Sequence, residues 1–274
     1  MLAFLTEPAP QYGTPEQITP DLRRLVAPNP GPMTYHGTNT WLLRCDDGIT
    51  IIDPGPNDPA HIAALLAATA GQPTRILLTH THPDHLAAAP ALKVATGAET
   101  FGWGAPWQTG FTPDHALQDG ERVAGLTALH TPGHASDHLC FAWDQGGVFS
   151  GDHVMSWNTS IVSPPDGDMA AYLNSLRRMM AREDAVFYCG HGPVLQNPQA
   201  LMRAMLGHRL QRESAVLAAV ADGANTPDAI VDRLYADIEP RIKPAAARTV
   251  LAHLLKLQTD ARAKRVGERW EVQR

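Results

Sequence analysis

At 274 residues, 44% apolar and 18% charged, the chain has an ordinary globular balance and room for one large domain or a medium domain joined to a small one. No uninterrupted apolar run reaches the roughly 18 residues of a membrane span, and three cysteines without a Cys-x-x-Cys pair exclude a disulfide framework. The formal charge of −6 is uneven: residues 1–199 carry 9 Lys and Arg against 19 Asp and Glu, for −10, and residues 200–274 carry 13 against 9, for +4.

The opening Met1-Leu2-Ala3-Phe4-Leu5 is too short for a signal core and lacks a basic flank. With cysteine usage that fits a reducing compartment, this predicts a cytoplasmic protein without a membrane partner. The loop Tyr35-His36-Gly37-Thr38-Asn39 borders the expected cleft, which makes His36 and Asn39 substrate-pocket candidates. A strand over 49–52 ends at Asp53, before Pro54-Gly55, and an Ala-rich helix follows over 58–70. The apolar run 76–78 is a short strand. At its end stands Thr79-His80-Thr81-His82-Pro83-Asp84-His85, four metal-ligating side chains within six residues, the nitrogen and carboxylate donors that zinc or a related divalent ion takes. Residues 86–96, rich in Ala and Leu, read as a helix. Residues 101–107 combine large rings with Gly and Pro and read as a surface loop rather than a strand. Its Trp103 and Trp107, like Trp157 further on, either cover substrate beside the metal loop or close a satellite core.

One short loop cannot complete two coordination shells, so further ligands are expected downstream. Thr131-Pro132-Gly133-His134 follows an apolar strand over 126–129. Ser150-Gly151-Asp152 follows the strand 148–149, and Cys189-Gly190-His191-Gly192 follows the strand 185–188. In each a strand ends, a Gly permits a tight bend, and a ligand-type side chain is presented. His61, His208 and His253 lie in predicted helices and read as solvated or core-satisfied. His138 reads as a structural hydrogen-bonder, and His153 is expected to point away from the site.

Strands alternating with helices predict a layered α/β fold for 1–199. The tail, 200–274, is almost all helical. A long helix spans 198–220, and a second starts at Asn225-Thr226-Pro227 with Thr226 as its N-cap. A third follows Lys243-Pro244, and 263–272 suits a small β-wing.

The motif His80-x-His82-x-Asp84-His85 with a distant His134, Asp152 and His191 resembles the metallo-β-lactamase superfamily. That resemblance implies a four-layer αββα sandwich over 1–199. It places His80, His82 and His134 on a first metal, Asp84, His85 and His191 on a second, Asp152 between them, and Asp53 behind a ligand. A narrower set of segments, residues 29–34, 37–40, 131–134, 172–176 and 190–194, resembles the beta-lactamase-like protein 2 group. It implies a C-terminal winged-helix domain over 200–274 and an endoribonuclease acting on single-stranded RNA. Thioesterases built on a similar chain also exist. Cys189 departs from the group, standing where relatives often have Pro.

The chemistry expected of such a ligand set is hydrolysis by a metal-bound hydroxide, with two divalent ions, zinc foremost and manganese or iron also compatible, and with Asp84 and Asp152 as the catalytic carboxylates. No G-x-S-x-G elbow or G-x-x-x-x-G-K-[ST] loop offers a rival. The first reading is RNA phosphodiester hydrolysis, with the basic tail either contacting nucleic acid or propping up the active-site rim. The alternative is hydrolysis of a thioester or other small acyl ester, motivated by the acidic catalytic part and the aromatic segment. A non-enzyme reading, a nucleic-acid-binding or regulatory protein with a vestigial metal site, is disfavoured because all seven ligand positions are filled.

Overall fold

The computed structural model describes residues 2–69 and 74–273. Its first sheet has seven strands in sequence order: β1 (Glu16–Thr19), β2 (Leu22–Val26), β3 (Asn39–Cys45), β4 (Gly48–Ile52), β5 (Thr74–Leu77), β6 (Glu99–Trp103) and β7 (His115–Leu117). The first four pair antiparallel and β4 to β7 run parallel. The helix α1 (Pro59–Thr69) supplies the crossover from β4 to β5, and α2 (Pro83–Leu86) with α3 (Ala89–Thr96) that from β5 to β6. A second sheet is built from β8 (Arg122–Val123), β9 (Leu126–His130), β10 (Leu139–Trp143), β11 (Val148–Gly151), β12 (Val186–Cys189) and β13 (Leu195–Gln196), in the order β13-β12-β11-β10-β9-β8. Helix α4 (Met169–Met180) connects β11 to its parallel neighbour β12.

The strand period of two sorts side chains into layers. Trp41, Leu43, Ile52 and Leu77 of the first sheet meet Ala128, Phe141, Phe149 and Tyr188 of the second in one core. Their neighbours Leu42, Ile51 and Ile76 face the other way, onto Leu65 of α1 and Leu92 of α3. On the far side Cys140, Val148 and Phe187 pack on Leu173 and Leu176 of α4. The result is the expected four-layer αββα sandwich.

The tail comprises α5 (Gln199–Ala221), α6 (Pro227–Leu234), a 3-10 turn (Pro240–Ile242), α7 (Lys243–Thr259) and the hairpin β14 (Ala263–Val266) with β15 (Arg269–Val272). Thr226 caps α6, its Oγ1 accepting from Ala229 N at 3.3 Å. Three helices and a two-stranded wing close over Val216, Ile230, Leu254 and Trp270. Helix α5 serves two cores, because Met202 and Met205 pack with α4 whereas Val216 and Val220 belong to the tail.

The structure corrects the sequence reading in two places. Residues 101–103 are strand, not loop: β6 pairs with β5 and β7 and turns Phe101 and Trp103 toward the inter-sheet core, so only the bend after Trp103 obeys the Gly and Pro signals. The helix expected over 86–96 is two helices, since the Ala88 amide is bound by Gly55 O at 2.9 Å and Pro90, which has no amide donor, restarts the chain as α3. Of the helix expected over 58–70, residues 59–69 are α1, and residue 70 lies outside the described residues. Helix α4, with Asp168 Oδ1 accepting from Ala171 N at 2.7 Å as its cap, is an element the sequence reading did not assign.

Candidate metal centre

The ligand-type side chains leave strand ends at one rim of the sandwich: His80 after β5, His134 after β9, Asp152 after β11 and His191 after β12. Helix α2 presents Asp84 and His85 from its first turn, with His82 at its N-cap. Two glycines permit the convergence. Gly133 has φ of 137°, and a Cβ there would stand 2.3 Å from the Tyr172 backbone. At Gly190 it would stand 2.5 Å from Asp152 Oδ1.

The geometry gathers all seven groups. His80 Nε2 and His134 Nε2 lie 3.0 and 3.1 Å from His82 Nδ1. In a second set, Asp84 Oδ2 lies 3.7 Å from His85 Nε2 and 3.4 Å from His191 Nε2. Asp152 stands between the sets, its Oδ2 3.6 Å from His134 Nε2 and its Oδ1 3.6 and 3.5 Å from the Nε2 atoms of His85 and His191.

The other nitrogen of each imidazole is engaged from outside. His80 Nδ1 meets Thr79 Oγ1 at 3.0 Å and His82 Nε2 meets Asp166 Oδ2 at 3.2 Å. The Nδ1 atoms of His85, His134 and His191 meet Asp53 Oδ2 at 2.9 Å, Ile161 O at 2.7 Å and Gly37 O at 3.1 Å. Carboxylates and carbonyls only accept, so these outer nitrogens carry the protons; Thr79 Oγ1 donates to Asp53 and therefore accepts from His80. In each neutral ring the inner nitrogen is left with a lone pair. Lone pairs 3.0 and 3.1 Å apart repel one another unless a cation lies between them.

A tetrahedral ion with bonds of about 2.1 Å separates its ligands by about 3.4 Å, which the distances above bracket. The buried His85 Nε2, His191 Nε2 and Asp152 Oδ1 have no hydrogen-bond partner among the described residues. The residues present therefore fit a pair of divalent cations. Protonation tells the same story. Burial opposes a charge on His85, yet Asp84, Asp152 and Asp53 outweigh it and lift the imidazole to about 9. Burial also opposes a charge on His191, which Asp152 and Asp84 raise well above the ordinary value. The carboxylates of Asp84 and Asp152 thus draw positive charge into the site, as protons where metal is not supplied. His80 and His134, held down by burial and by one another's neighbours, stay neutral donors, His134 at about 4.

Asp53 sits behind the centre in the left-handed region, at φ 53°, its Oδ1 accepting from Thr79 N at 2.8 Å. Sequence reasoning missed Asp166, whose turn sequence gives no sign that it faces His82, and the pair Thr81–Asp137. Asp137 Oδ2 accepts from Thr81 Oγ1 and from Trp107 N at 2.8 Å, fastening the Trp107 segment to the histidine loop. His138 Nε2 accepts from Asp152 N at 3.2 Å.

A cavity of about 390 Å³ opens over both sets, with His82, Asp84, His134 and Asp152 on its floor. Met33, Trp107, Met155 and Ile161 wall it, and Arg248 of α7 reaches it from the tail. Of the sequence-stated pocket candidates only Trp107 lines it. Trp103 stacks on His130 at 3.7 Å, and Trp157 packs against Tyr35 at 5.1 Å. His36 Nε2 meets Glu7 O at 3.0 Å, and Asn39 Nδ2 donates to Cys189 O and Gly192 O at 3.0 and 2.8 Å, bracing the His191 loop from below. Cys189 is buried in β12, which pushes its thiol up to about 11.

Comparison with known proteins agrees with this geometry. Residues 33–191 match the family described as the metallo-beta-lactamase superfamily, and 226–270 match the beta-lactamase associated winged helix domain. The chain is similar to the atrochrysone carboxyl ACP thioesterase of Aspergillus chevalieri, 32% identical over 89% of this chain and 83% of that protein. It is also similar to the beta-lactamase-like protein 2 homolog of Drosophila melanogaster, 28% identical over 90% and 91% of the two chains. The crystal structure of a metallo-beta-lactamase family protein from Thermus thermophilus superposes with a TM-score of 0.78 at 25% identity, covering 93% of this chain and all of that one. Ligand geometry, layered fold and these matches together show that the chain belongs to the metallo-beta-lactamase superfamily, as an enzyme with a C-terminal winged-helix domain.

Proposed function

We propose that the protein is a dinuclear metal-dependent hydrolase of acyl thioesters. The observation that carries this reading is the cavity: apolar side chains wall a space of about 390 Å³ directly above the paired ligand sets. A volume of this size suits a small or medium ligand. Several relatives, in Passalora fulva, Claviceps purpurea and three other fungi, are described as atrochrysone carboxyl ACP thioesterases. RNA, the first reading from sequence, is less well served. A polyanion needs a basic track into the site, whereas Arg248 is the lone Lys or Arg among the residues lining the cavity. Kinship with the beta-lactamase-like protein 2 group, supported by the Drosophila relative and the winged helix, is part of the same proposal.

His80, His82 and His134 would hold one ion and Asp84, His85 and His191 the other, with Asp152 shared. Zinc suits this imidazole and carboxylate set, and manganese or iron would also be held by it. When bound, the ions lower the pKa of water and polarise the thioester carbonyl. Met33, Trp107, Met155 and Ile161 exclude water and seat the acyl chain. Asp84, partly exposed on the cavity floor, orients the attacking water and takes its proton. The new C–O bond forms as C–S breaks, and the proton goes to the departing thiolate.

The test is release of free thiol from a panel of short, long and aromatic acyl thioesters by metal-loaded protein. Turnover by the wild type, absent in Asp152→Ala, supports the reading. A protein that holds two ions yet cleaves no member of the panel refutes the thioester assignment, and cleavage of single-stranded RNA by that same preparation would restore the first one.

A further inference from the structure

The loop over residues 160–166, between β11 and α4, touches the metal ligands on one side and the C-terminal domain on the other. Inward, Ile161 O accepts from His134 Nδ1 at 2.7 Å and Asp166 Oδ2 meets His82 Nε2 at 3.2 Å. Asp166 Oδ1 is itself fixed by Ser136 N at 2.7 Å. Outward, Arg209 of α5 donates Nη2 to Ser160 O, and Arg248 of α7 donates Nε to Ser163 Oγ and Nη2 to Pro164 O, the last at 2.7 Å. Ser160 Oγ in turn donates to the carbonyl of Asp152 and, at 2.9 Å, to that of His153.

Arg209 is the unusual member. Its residue is 4% exposed, its Nε has no hydrogen-bond partner, and among the described residues no carboxylate pairs with it. The guanidinium lies over the Tyr172 ring at 5.4 Å. Burying an unpaired cation opposes folding, so its place is poorly explained by stability and well explained by the carbonyl it holds. Both arginines thus grip the backbone of the segment that orients two imidazoles of one metal subsite. The other subsite is braced by Asp53 and Gly37, neither of which lies on this loop.

We propose that the winged-helix domain is a positioning element of the metal centre: Arg209 and Arg248 hold loop 160–166 so that His82 and His134 keep the orientation the first ion requires. This rests on the dinuclear reading above. The tail is then part of the active site's construction, whatever else its wing contacts. The expected signature is asymmetric: loosening the loop weakens one ion and leaves the other.

The test is stepwise chelator competition with the full-length, metal-loaded chain, read by metal content and by the visible absorption of the cobalt-substituted protein. Asp166→Asn is the positive control and is expected to weaken one ion about 10- to 100-fold, as loss of an outer hydrogen bond to a ligand does. Arg248→Ala is expected to weaken the same ion about tenfold, to leave the second ion and the melting temperature unchanged, and to be partly rescued by Arg248→Lys, which keeps a cationic donor at that position. Arg209→Met should act in the same direction, and if it fails to fold, the exposed Arg248 decides the matter. Wild-type affinity for both ions in Arg248→Ala, with Asp166→Asn impaired, overturns the proposal. So does equal weakening of both ions accompanied by a lower melting temperature. If Asp166→Asn also keeps both ions at wild-type affinity, the loop does not orient the ligands and the proposal is likewise overturned, whereas a wild type that binds no pair of ions means that the dinuclear reading itself fails.

Discussion

Asp53 offers the sharpest perturbation, because one buried carboxylate fixes the proton positions of both subsites. Its Oδ1 accepts from Thr79 N at 2.8 Å; its Oδ2 accepts from Thr79 Oγ1 at 2.7 Å and from His85 Nδ1 at 2.9 Å. Asp53→Asn keeps the shape and can still accept from Thr79 N, but its NH2 group then faces two donors. His85 must move its proton from Nδ1 to Nε2, the nitrogen that faces Asp84 and Asp152, and Thr79 Oγ1 must turn, which disturbs His80 Nδ1 at 3.0 Å. A ligand whose outer partner is lost weakens metal binding by about 10- to 100-fold, or about 1.4 to 2.7 kcal/mol. Asp53→Ala should in addition destabilise the fold by about 2 to 4 kcal/mol, since the Thr79 amide and the His85 ring nitrogen lose their acceptor in a site 1% exposed. Metal titration and denaturant unfolding of the two variants separate these effects. Asp53→Asn that binds both ions as tightly as the wild type would refute the tautomer argument.

His82→Ala and Asp152→Ala should each lower metal content and bring thiol release below detection while leaving the circular dichroism of the folded chain unchanged. Gly133→Ala should destabilise by at least about 2 kcal/mol, because the new Cβ meets the Tyr172 backbone at 2.3 Å in a positive-φ position; an unchanged unfolding midpoint would contradict it. Burial pushes the His61 imidazole down to about 4 from its ordinary 6.5. The unfolded chain therefore binds the proton first, and the neutral form's contribution, about 3 kcal/mol, is present above pH 6.5 and lost as pH falls toward 4. A His61→Gln variant should show a flatter loss of stability over that window, measured as the difference from wild type at each pH. Met155→Asp, which places a charge on the cavity wall, should raise KM for long-chain thioesters more than for short ones.

Much of the site was legible in the sequence because each ligand follows a strand and a bend, and such bends are written locally in Gly133, Gly151 and Gly190. Local signals also carried the tail, where Thr226-Pro227 starts α6 and the apolar positions of α7 recur on one side. Non-local pairing decided the rest. Residues 101–103 become strand only because β5 and β7 lie on either side of them, and Phe101 and Trp103 then have a core to face.

The residue types and their spacing marked which groups could take a metal ion, since imidazole and carboxylate chemistry does not depend on distant context. Which side chains line the cavity could not be read that way. Trp103 and Trp107 stand four residues apart, yet one stacks on His130 and packs against the inter-sheet core, and the other, held by Asp137, meets the cavity. Asp166 and Arg248 reach the site across 84 and 85 residues of sequence, to His82 and to Ser163. Only tertiary packing brings such groups together, because their hydrogen bonds join backbone and side chains that no local pattern links.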